Sequence, residues 1–305
     1  MAFDAGSRKA GLPVRQARLR LSGFLWRRPW VKAATLLTPP LGAFLVVYVG
    51  ALAIILVSSF WTTNSFTSDV EHTWTLLNYR TIFDTANTYL HTAWFTVEMA
   101  AGVTVTDAVL AFPLAFFMAR LASKRMRAVL FVMVLLPLWS SYLVRVYAWQ
   151  TMLGHDGAIN WTLNGLGLPD QNLSYTNTAM WIVFSYIWLP FMVLPIYAAL
   201  ERIPDSYLEA SADLGARGWR TFRSVILPLA LPGVVAGSIF TFALTLGDYI
   251  TPSLVGGTNS NMIGTEVYSN FSTNLPFAAA FTVIPLAIMG VYLLIARRLG
   301  GFDAL

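Results

Sequence analysis

Four ionisable residues lie within or beside long apolar stretches of the sequence: Glu98, Asp107, Arg145 and Asp248. A charged side chain at the centre of a bilayer costs at least about 2.5 kcal/mol, so each of these residues needs a partner or a role. Glu98 and Arg145 fall at similar depths in neighbouring apolar stretches. This placement predicts an ion pair between helices, with direct lining of a path for a charged solute as the alternative.

Asp107 occupies the opposite face of the same predicted helix as Glu98, because about 2.5 helical turns separate the two residues. Both carboxylates cannot face one pore unless the helix is distorted. Thr104 and Thr106 flank Asp107. We expect their hydroxyl groups to hydrogen-bond its carboxylate.

Aromatic side chains accompany two of these positions. Tyr142 and Trp149 share one face of a predicted helix, and Tyr249 directly follows Asp248. Because aromatic faces and carboxylates both attract organic cations, these four side chains and Glu98 are candidates for a substrate pathway. Two other interpretations stay open, namely an aromatic belt at the membrane interface for Tyr142 and Trp149 and helix capping for Asp248.

The residue patterns for bond-breaking chemistry are missing from the sequence. It contains no Cys, which excludes disulfides, thiolate nucleophiles and thiolate metal sites. His72, His91 and His155 are isolated from one another, and there is no HExxH motif. The nucleotide-binding pattern G-x-x-x-x-G-K-[ST] is absent as well. We therefore predict no catalytic, cofactor or metal site in this chain.

The elements that must position these residues are membrane-spanning helices. Of the 305 residues, 56% are apolar and 11% are charged, whereas about 25% are charged in a typical soluble domain. Six apolar stretches are long enough to cross the hydrocarbon core, at residues 41–60, 90–118, 128–152, 179–200, 229–246 and 277–296. Unbroken apolar runs of this length do not alternate as barrel strands do. The predicted fold class is all-α, a polytopic membrane protein with six transmembrane helices.

Lys and Arg residues concentrate in the N-terminal tail, in the second-to-third and fourth-to-fifth connections, and after the last span. Such residues stay in the cytoplasm, so both termini are predicted to be cytoplasmic. The predicted organisation is a basic tail at 1–38, a membrane domain at 39–299 with a cytoplasmic loop at 201–228, and a short tail at 300–305. The net charge of +5 reflects this topology and contact with anionic lipid, and nucleic-acid binding is not expected.

The segment 209–228, EASADLGARGWRTFRSVILP, is a polar loop between two apolar stretches. Ser206 precedes Glu209 in the capping-box spacing S-x-x-E, which predicts a helix starting at Tyr207. Gly215 can adopt the left-handed conformation that closes a helix. A second short helix is expected at 219–225, and Pro228 is expected to end it.

This loop resembles the coupling loop of the permease subunits of binding-protein-dependent ABC importers. Their pattern is E-A-A, three residues, G, nine residues, I-x-L-P. It is matched here by Glu209, Ala210, Gly215, Leu227 and Pro228, while Ser211 replaces the second Ala and Val225 replaces Ile. The resemblance implies the fold of a type I ABC importer permease. It also implies that these residues couple the chain to an ATP-hydrolysing subunit.

Two further segments, 138–160 and 247–257, resemble the first of the two permease subunits of spermidine/putrescine importers. This likeness implies a bacterial inner membrane protein that imports polyamines. Its implied partners are two copies of an ATP-binding subunit, which hold ATP and Mg, a second homologous permease, and an extracytoplasmic substrate-binding protein. Two alternatives remain at this stage. One is the same machine with another cargo, such as an amino-acid derivative, ferric iron or thiamine, and the other is an ion-coupled secondary transporter that works through Glu98, Asp107 and Arg145.

Overall fold

The computed structural model describes residues 29–64, 67, 69–84, 88–171 and 173–298. Its N-terminal unit, which ends at Val57, carries all but the last residue of the first candidate span, Ala33–Ser58. The span consists of α1 (Pro29–Phe44), a π-helical turn (Leu45–Val49) and α2 (Gly50–Ser58). The described part of this helix at 29–38 lies inside the segment that we predicted to be tail. Residues 1–28 and 300–305 of the predicted tails, and residue 299, lie outside the described part.

The larger unit begins at Ser58 and holds the remaining spans. After a two-stranded antiparallel ribbon of β1 (Thr62–Thr63) and β2 (Val70–Glu71) comes the short helix α3 (Leu77–Asp84). The second span contains α4 (Tyr89–Phe116) and the π-helical turn Phe117–Leu121. Together with the first span and three later helices, it makes five helices in the described part of the chain that are long and apolar enough to cross a membrane.

The apolar stretch at 128–152 folds as two helices with a bend of 94° between them. Helix α5 (Lys124–Leu135) continues into a 3₁₀ turn (Leu136–Trp139), and α6 (Tyr142–Leu153) starts in a new direction. Pro137 cannot donate a backbone hydrogen bond, and Ser140 adopts an extended conformation after it. If this bent pair is one span, the described residues form six spans, and the all-α polytopic fold is confirmed.

The rest of the chain alternates short and long helices. They are α7 (Ala158–Gly165), α8 (Asn177–Glu201), α9 (Asp205–Asp213), α10 (Gly218–Thr221), a π-helical turn (Phe222–Ile226), α11 (Leu227–Leu246), α12 (Ile250–Val255), α13 (Ile263–Phe271) and α14 (Leu275–Arg298). The connection at 154–178 holds one short helix, α7, as expected. The connection at 252–276 is more ordered than a loop, because α13 occupies nine of its residues.

The core of this unit is formed by α4, α8 and α11, which pack closely through small residues. Ala111, Ala115 and Ala230 are fully buried there. A Cβ atom added at Gly233 would lie 2.5 Å from the Cβ of Ala199, and one at Gly237 would lie 2.8 Å from the Sδ of Met192. The G-x-x-x-G spacing at these two glycines therefore allows α11 to approach α8.

Candidate functional site

The Arg-rich loop folds as a pair of short helices, α9 and α10. Gly215 closes α9 with a φ of 76°, as predicted. The N–H of Ala216 bonds the carbonyl of Ser211 at 3.0 Å, and the N–H of Gly215 bonds the carbonyl of Ala212 at 2.8 Å. These two bonds form a Schellman motif, which satisfies carbonyl groups that the end of a helix leaves without partners.

The start of α9 differs from the prediction. The helix begins at Asp205 rather than at Tyr207, and Ser206 does not cap it. Pro204 is the N-terminal flanking residue, and its carbonyl accepts a hydrogen bond from the N–H of Tyr207 at 3.1 Å. Asp205 instead supplies a negative charge in the first turn, where the helix dipole favours one.

The second predicted boundary is also wrong, because Pro228 does not end a helix. From Gly218 the chain runs through the π-helical turn at Phe222–Ile226 into α11 without a break, and the N–H of Leu227 bonds the carbonyl of Phe222. The wider turn shifts the hydrogen-bond register by one residue, so the missing N–H of Pro228 is tolerated in the first turn of α11. Leu227 and Pro228 thus lie inside a 29-residue helical run, Gly218–Leu246.

The surface of the helix pair has both polar and apolar parts. Glu209 and Ala210 are exposed, and Leu214 and Trp219 are 88% and 72% exposed. Ser211 is buried, and its hydroxyl group lies 2.9 Å from that of Thr221. A cleft of about 490 Å³ opens between the two helices, lined by Tyr207, Ala210, Ser211, Leu214, Ala216, Arg220, Ser224 and Val225.

The predicted ion pair between Glu98 and Arg145 is wrong. Glu98 is exposed and takes part in no ion pair of the described residues. Arg145 is half-buried, with its guanidinium carbon 5.9 Å from the centre of the Tyr142 ring. The depth comparison assumed a straight third span, and the 94° bend before α6 removes that alignment.

Asp107 is fully buried on α4, and neither carboxylate oxygen has a hydrogen-bond partner among the described residues. The expected bonds from the flanking threonines do not form. The hydroxyl of Thr104 donates to the carbonyl of Ala100 at 2.6 Å, and that of Thr106 accepts from Nε1 of Trp181 at 3.2 Å. A threonine within a helix commonly bonds the carbonyl four residues earlier, and Thr104 does so here.

Asp248 lies between α11 and α12 and is 8% exposed. Its carboxylate accepts hydrogen bonds from the N–H of Ile250 at 2.8 Å, from the N–H and hydroxyl of Thr251 at 3.2 Å, and from the hydroxyl of Tyr142. Burial raises the pKa of Asp248 above its ordinary value, and these hydrogen bonds oppose that shift. The carboxylate therefore caps α12 and ties it to α6.

The aromatic candidates separate into two groups. The ring of Tyr142 stacks on Trp188 at 5.7 Å, and Trp149 packs against Tyr186 at 5.2 Å, so both pack on α8. Tyr249 instead stacks on Tyr268 at 4.3 Å. That pair borders a cleft of about 300 Å³ whose lining also includes Val267, Phe271, Thr282 and Pro285. Of the predicted pathway residues, the structure joins Tyr142 to Asp248 and places Tyr249 at a separate cleft.

Two arginines that our sequence analysis counted only as positive charges join helix ends. Arg120 bonds Asp205 and two carbonyl groups near the end of α8, and Arg127 bonds Glu201 and two carbonyl groups near the end of α4. Arg120 follows an apolar stretch, which was a usable signal because cations favour helix C-termini. Arg127 lies in the first turn of α5 and gave no such signal. Within the described residues, no group of three or more His, Asp or Glu could hold a metal ion.

Comparison with known proteins identifies the family. Residues 111–300 match the family model described as binding-protein-dependent transport system inner membrane component. The chain is 46% identical over 308 residues to the inner membrane ABC transporter permease protein YdcU of Escherichia coli (strain K12), covering 96% of this chain and 97% of that protein. It is 32% identical over 259 residues to the spermidine/putrescine transport system permease protein PotB of the same strain, covering 84% and 93%. The chain therefore belongs to the inner membrane permease subunits of binding-protein-dependent ABC importers.

Solved structures show the same fold. A chain of a bacterial ABC transporter that imports the acidic polysaccharide alginate superposes with a TM-score of 0.73 at 17% identity, covering 92% of this chain and 98% of that chain. The methionine transporter MetNI, in an inward-facing conformation, gives a TM-score of 0.53 at 18% identity, covering 69% and 94%. Permeases of this family are non-catalytic subunits, so the chain is a multi-pass inner membrane permease and not an enzyme. The ion-coupled transporter considered above belongs to a different class of protein.

Proposed function

We propose that this permease imports polyamine-like organic cations, and that it docks an ATP-binding subunit through the coupling loop formed by α9 and α10. The complex would contain two copies of that ATP-binding subunit, which hold ATP and Mg, and a second homologous permease. An extracytoplasmic substrate-binding protein would deliver the cargo. The main observation that supports docking is that the helix pair is closed at Gly215 and exposes Glu209 at its surface.

The exposed residues of the coupling loop support a protein partner. Leu214 and Trp219 are large apolar side chains that are exposed in the isolated chain, and tryptophan in particular is a common anchor of protein interfaces. Glu209 and Ala210 lie on the same short helix, where they match the coupling pattern. Because α10 runs on into α11, a push on this loop would act directly on a membrane-spanning helix.

The cargo assignment rests on the relatives and on the aromatic cleft. PotB, named for spermidine and putrescine, is 32% identical, whereas the name of YdcU, at 46% identity, specifies no cargo. In the cleft, Tyr249 and Tyr268 offer π faces suited to an ammonium group. Outside the cleft, Glu98 on α4 is an exposed carboxylate at membrane depth. Asp248, Tyr142 and Trp149 instead make internal contacts and do not line this cleft.

The experiment is uptake by the reconstituted complex. The permease is co-purified with its ATP-binding and permease partners, placed in liposomes, and given the binding protein with labelled spermidine, putrescine, an amino acid, a ferric chelate or thiamine. ATP-dependent uptake of spermidine or putrescine is expected. If neither polyamine enters or stimulates ATP hydrolysis while another solute does, the cargo proposal is wrong.

The docking role has its own test in the same liposomes. Glu209→Ala is expected to lower cargo-stimulated ATP hydrolysis or the yield of assembled complex, because it removes the exposed carboxylate of the coupling pattern. Glu71→Ala, which removes an exposed carboxylate from the ribbon strand β2, is the matched control. Equal behaviour of the two variants would contradict the docking role.

A further inference from the structure

The side chain of Arg120 connects three helices at the Arg-rich end of the bundle. Arg120 lies in the π-helical turn after α4, and its side chain is 12% exposed. Its Nη1 donates to Oδ1 of Asp205 at 2.8 Å, and its Nη2 donates to the carbonyls of Leu200 at 2.7 Å and Ile203 at 2.5 Å. One guanidinium group thus joins the end of α4, the end of α8 and the first residue of α9.

These acceptors lie on both sides of a short linker. Helix α8 ends at Glu201 and α9 begins at Asp205, so only residues 202–204 separate them. Carbonyl groups at the end of a helix lack partners within the helix. The planar guanidinium group can bond several acceptors at fixed angles, whereas a lysine ammonium group is a compact point charge on a flexible stem. Arg120 therefore holds the direction in which α9 leaves α8.

We infer that Arg120 is a positioning residue for transmission, which fixes the angle of α9 against the membrane helices. A displacement of α9 then moves the inner ends of α4 and α8 as well as α11. This inference rests on the proposed docking of an ATP-binding subunit at the coupling loop. It adds a second mechanical connection to the one that runs through α10 and α11.

Arg127 provides a matched control in the same region. Its Nε and Nη2 donate to the carbonyls of Met118 and Ala119, both at 3.0 Å, and its Nη1 donates to Oε1 of Glu201 at 3.2 Å. Arg127 therefore joins the ends of α4 and α8, as Arg120 does. None of its hydrogen bonds to described residues reaches α9.

The test compares Arg120→Lys with Arg127→Lys in the assembled complex with its ATP-binding subunit and binding protein. Both variants keep the charge and lose the forked hydrogen bonds. For Arg120→Lys, the ratio of cargo-stimulated to basal ATP hydrolysis is expected to fall at least about fivefold, the lower end of typical coupling between sites. For Arg127→Lys the ratio is expected to stay near that of the parent, although both complexes lose thermal stability.

A second readout reports whether α9 is docked. The chain has no cysteine, so Ala212→Cys introduces a single thiol into this subunit at an exposed position of α9, and its reaction with a maleimide can be followed on the separated permease. The ATP-binding subunit is expected to protect this thiol in the parent. In the Arg120→Lys background the protection is expected to weaken, and in the Arg127→Lys background it is expected to persist.

The outcomes separate the two proposals. If the thiol is protected in the parent and the two lysine variants give equal ratios and equal protection, the role of Arg120 is overturned and docking survives. If the thiol is unprotected even in the parent complex, docking fails and the inference fails with it. If Arg120→Lys does not assemble, Asp205→Ala replaces it. Asp205 is an 83% exposed partner. Its loss leaves the bonds of Arg120 to Leu200 and Ile203 in place, and removes the contact with α9 together with the negative charge in the first turn of α9. An unchanged ratio would then overturn the inference.

Discussion

Ser211 on α9 and Thr221 on α10 share a hydrogen bond of 2.9 Å between their hydroxyl groups. This bond is the side-chain connection across the two short helices of the coupling loop. The family pattern has alanine at the position of Ser211, so the bond is a feature of this chain added to a common framework. We expect it to stabilise the helix pair without being required for transport.

Ser211→Ala should therefore lower thermal stability while ATP-dependent uptake remains close to that of the parent. The loss of one partly buried hydrogen bond is worth about 1 kcal/mol. Thermal unfolding of the purified complex and uptake in liposomes measure the two quantities. Ser206→Ala is the control, because Ser206 is exposed and caps no helix. Equal stability of the two variants would contradict the role of the Ser211 bond.

Gly215→Ala should destabilise the closure of α9 through backbone strain alone. The φ of 76° is unfavourable for a residue with a Cβ atom, by about 1–2 kcal/mol, yet the added atom would meet nothing within 4 Å. Gly218→Ala is the control, since its Cβ is also unobstructed and its φ lies outside the left-handed region. The ratio of cargo-stimulated to basal ATP hydrolysis should fall for Gly215→Ala only. A comparable fall at Gly218 would point to lost partner contact instead of strain.

Gly233→Ala should loosen the packing of α11 on α8. The added Cβ would lie 2.5 Å from that of Ala199 and 2.7 Å from the carbonyl oxygen of Pro195. Overpacking of this kind costs about 1–3 kcal/mol, so the melting temperature of the complex should drop. Gly290→Ala on α14 meets nothing within 4 Å and should have little effect. A melting temperature unchanged by Gly233→Ala would show that the two helices are less tightly packed than described.

Asp248→Asn should reduce stability and leave the apparent KM for cargo unchanged. The amide oxygen can still accept from the N–H groups of Ile250 and Thr251, but the N–H₂ group replaces the oxygen that accepts from the hydroxyls of Tyr142 and Thr251. Those charge-assisted bonds are replaced by weaker neutral ones in which the hydroxyls must accept. Tyr249→Ala should instead change the apparent KM for cargo, because it removes an aromatic face at the cleft. It should raise KM about fivefold, the equivalent of about 1 kcal/mol of cation–π attraction. Uptake kinetics distinguish the two variants. A raised KM in Asp248→Asn would indicate that Asp248 contacts the cargo.

Glu266 should give the complex a measurable pH dependence. Burial raises the pKa of its carboxyl group above the ordinary value, so the folded chain holds this proton to higher pH than the unfolded chain does. Stability therefore falls as pH rises from the ordinary value, about 4.3, through the raised value, and the loss is constant above it. Glu266→Gln removes this loss, so its melting temperature relative to the parent should be higher at about pH 7 than at about pH 4. A difference that is independent of pH would contradict the burial of this carboxylate.

The sequence predicted the structure well where a local property, such as the length of an apolar stretch or a single glycine, determines the outcome. Apolar length predicted the spans because the hydrocarbon core imposes it, and Gly215 was predicted correctly because glycine tolerates a positive φ. Proline was harder to interpret. Pro228 lies within a continuous helix because a π-helical turn before it compensates for the missing N–H, while Pro137 precedes a sharp bend.

The side-chain partners could not be read from sequence, because they depend on how distant helices meet. The expected pair of Glu98 and Arg145 assumed a straight third span. The carboxylate of Asp248 accepts hydrogen bonds from residues on α6 and α12, and no local sequence pattern indicates that Tyr142 lies beside it. Arg120 was missed for the same reason, since its acceptors lie on α8 and α9, far along the chain.

The unbroken run from Gly218 to Leu246 gives this permease a lever. Its 29 residues measure about 44 Å at 1.5 Å per residue. A tilt of roughly 5° about the Arg-rich end would then sweep the opposite tip sideways by about 4 Å, the width of an alkyl chain. Asp248 follows two residues beyond that tip. Under the docking proposed above, a small tilt of the helix driven from the coupling loop would therefore displace the connection between α11 and α12 by several ångströms.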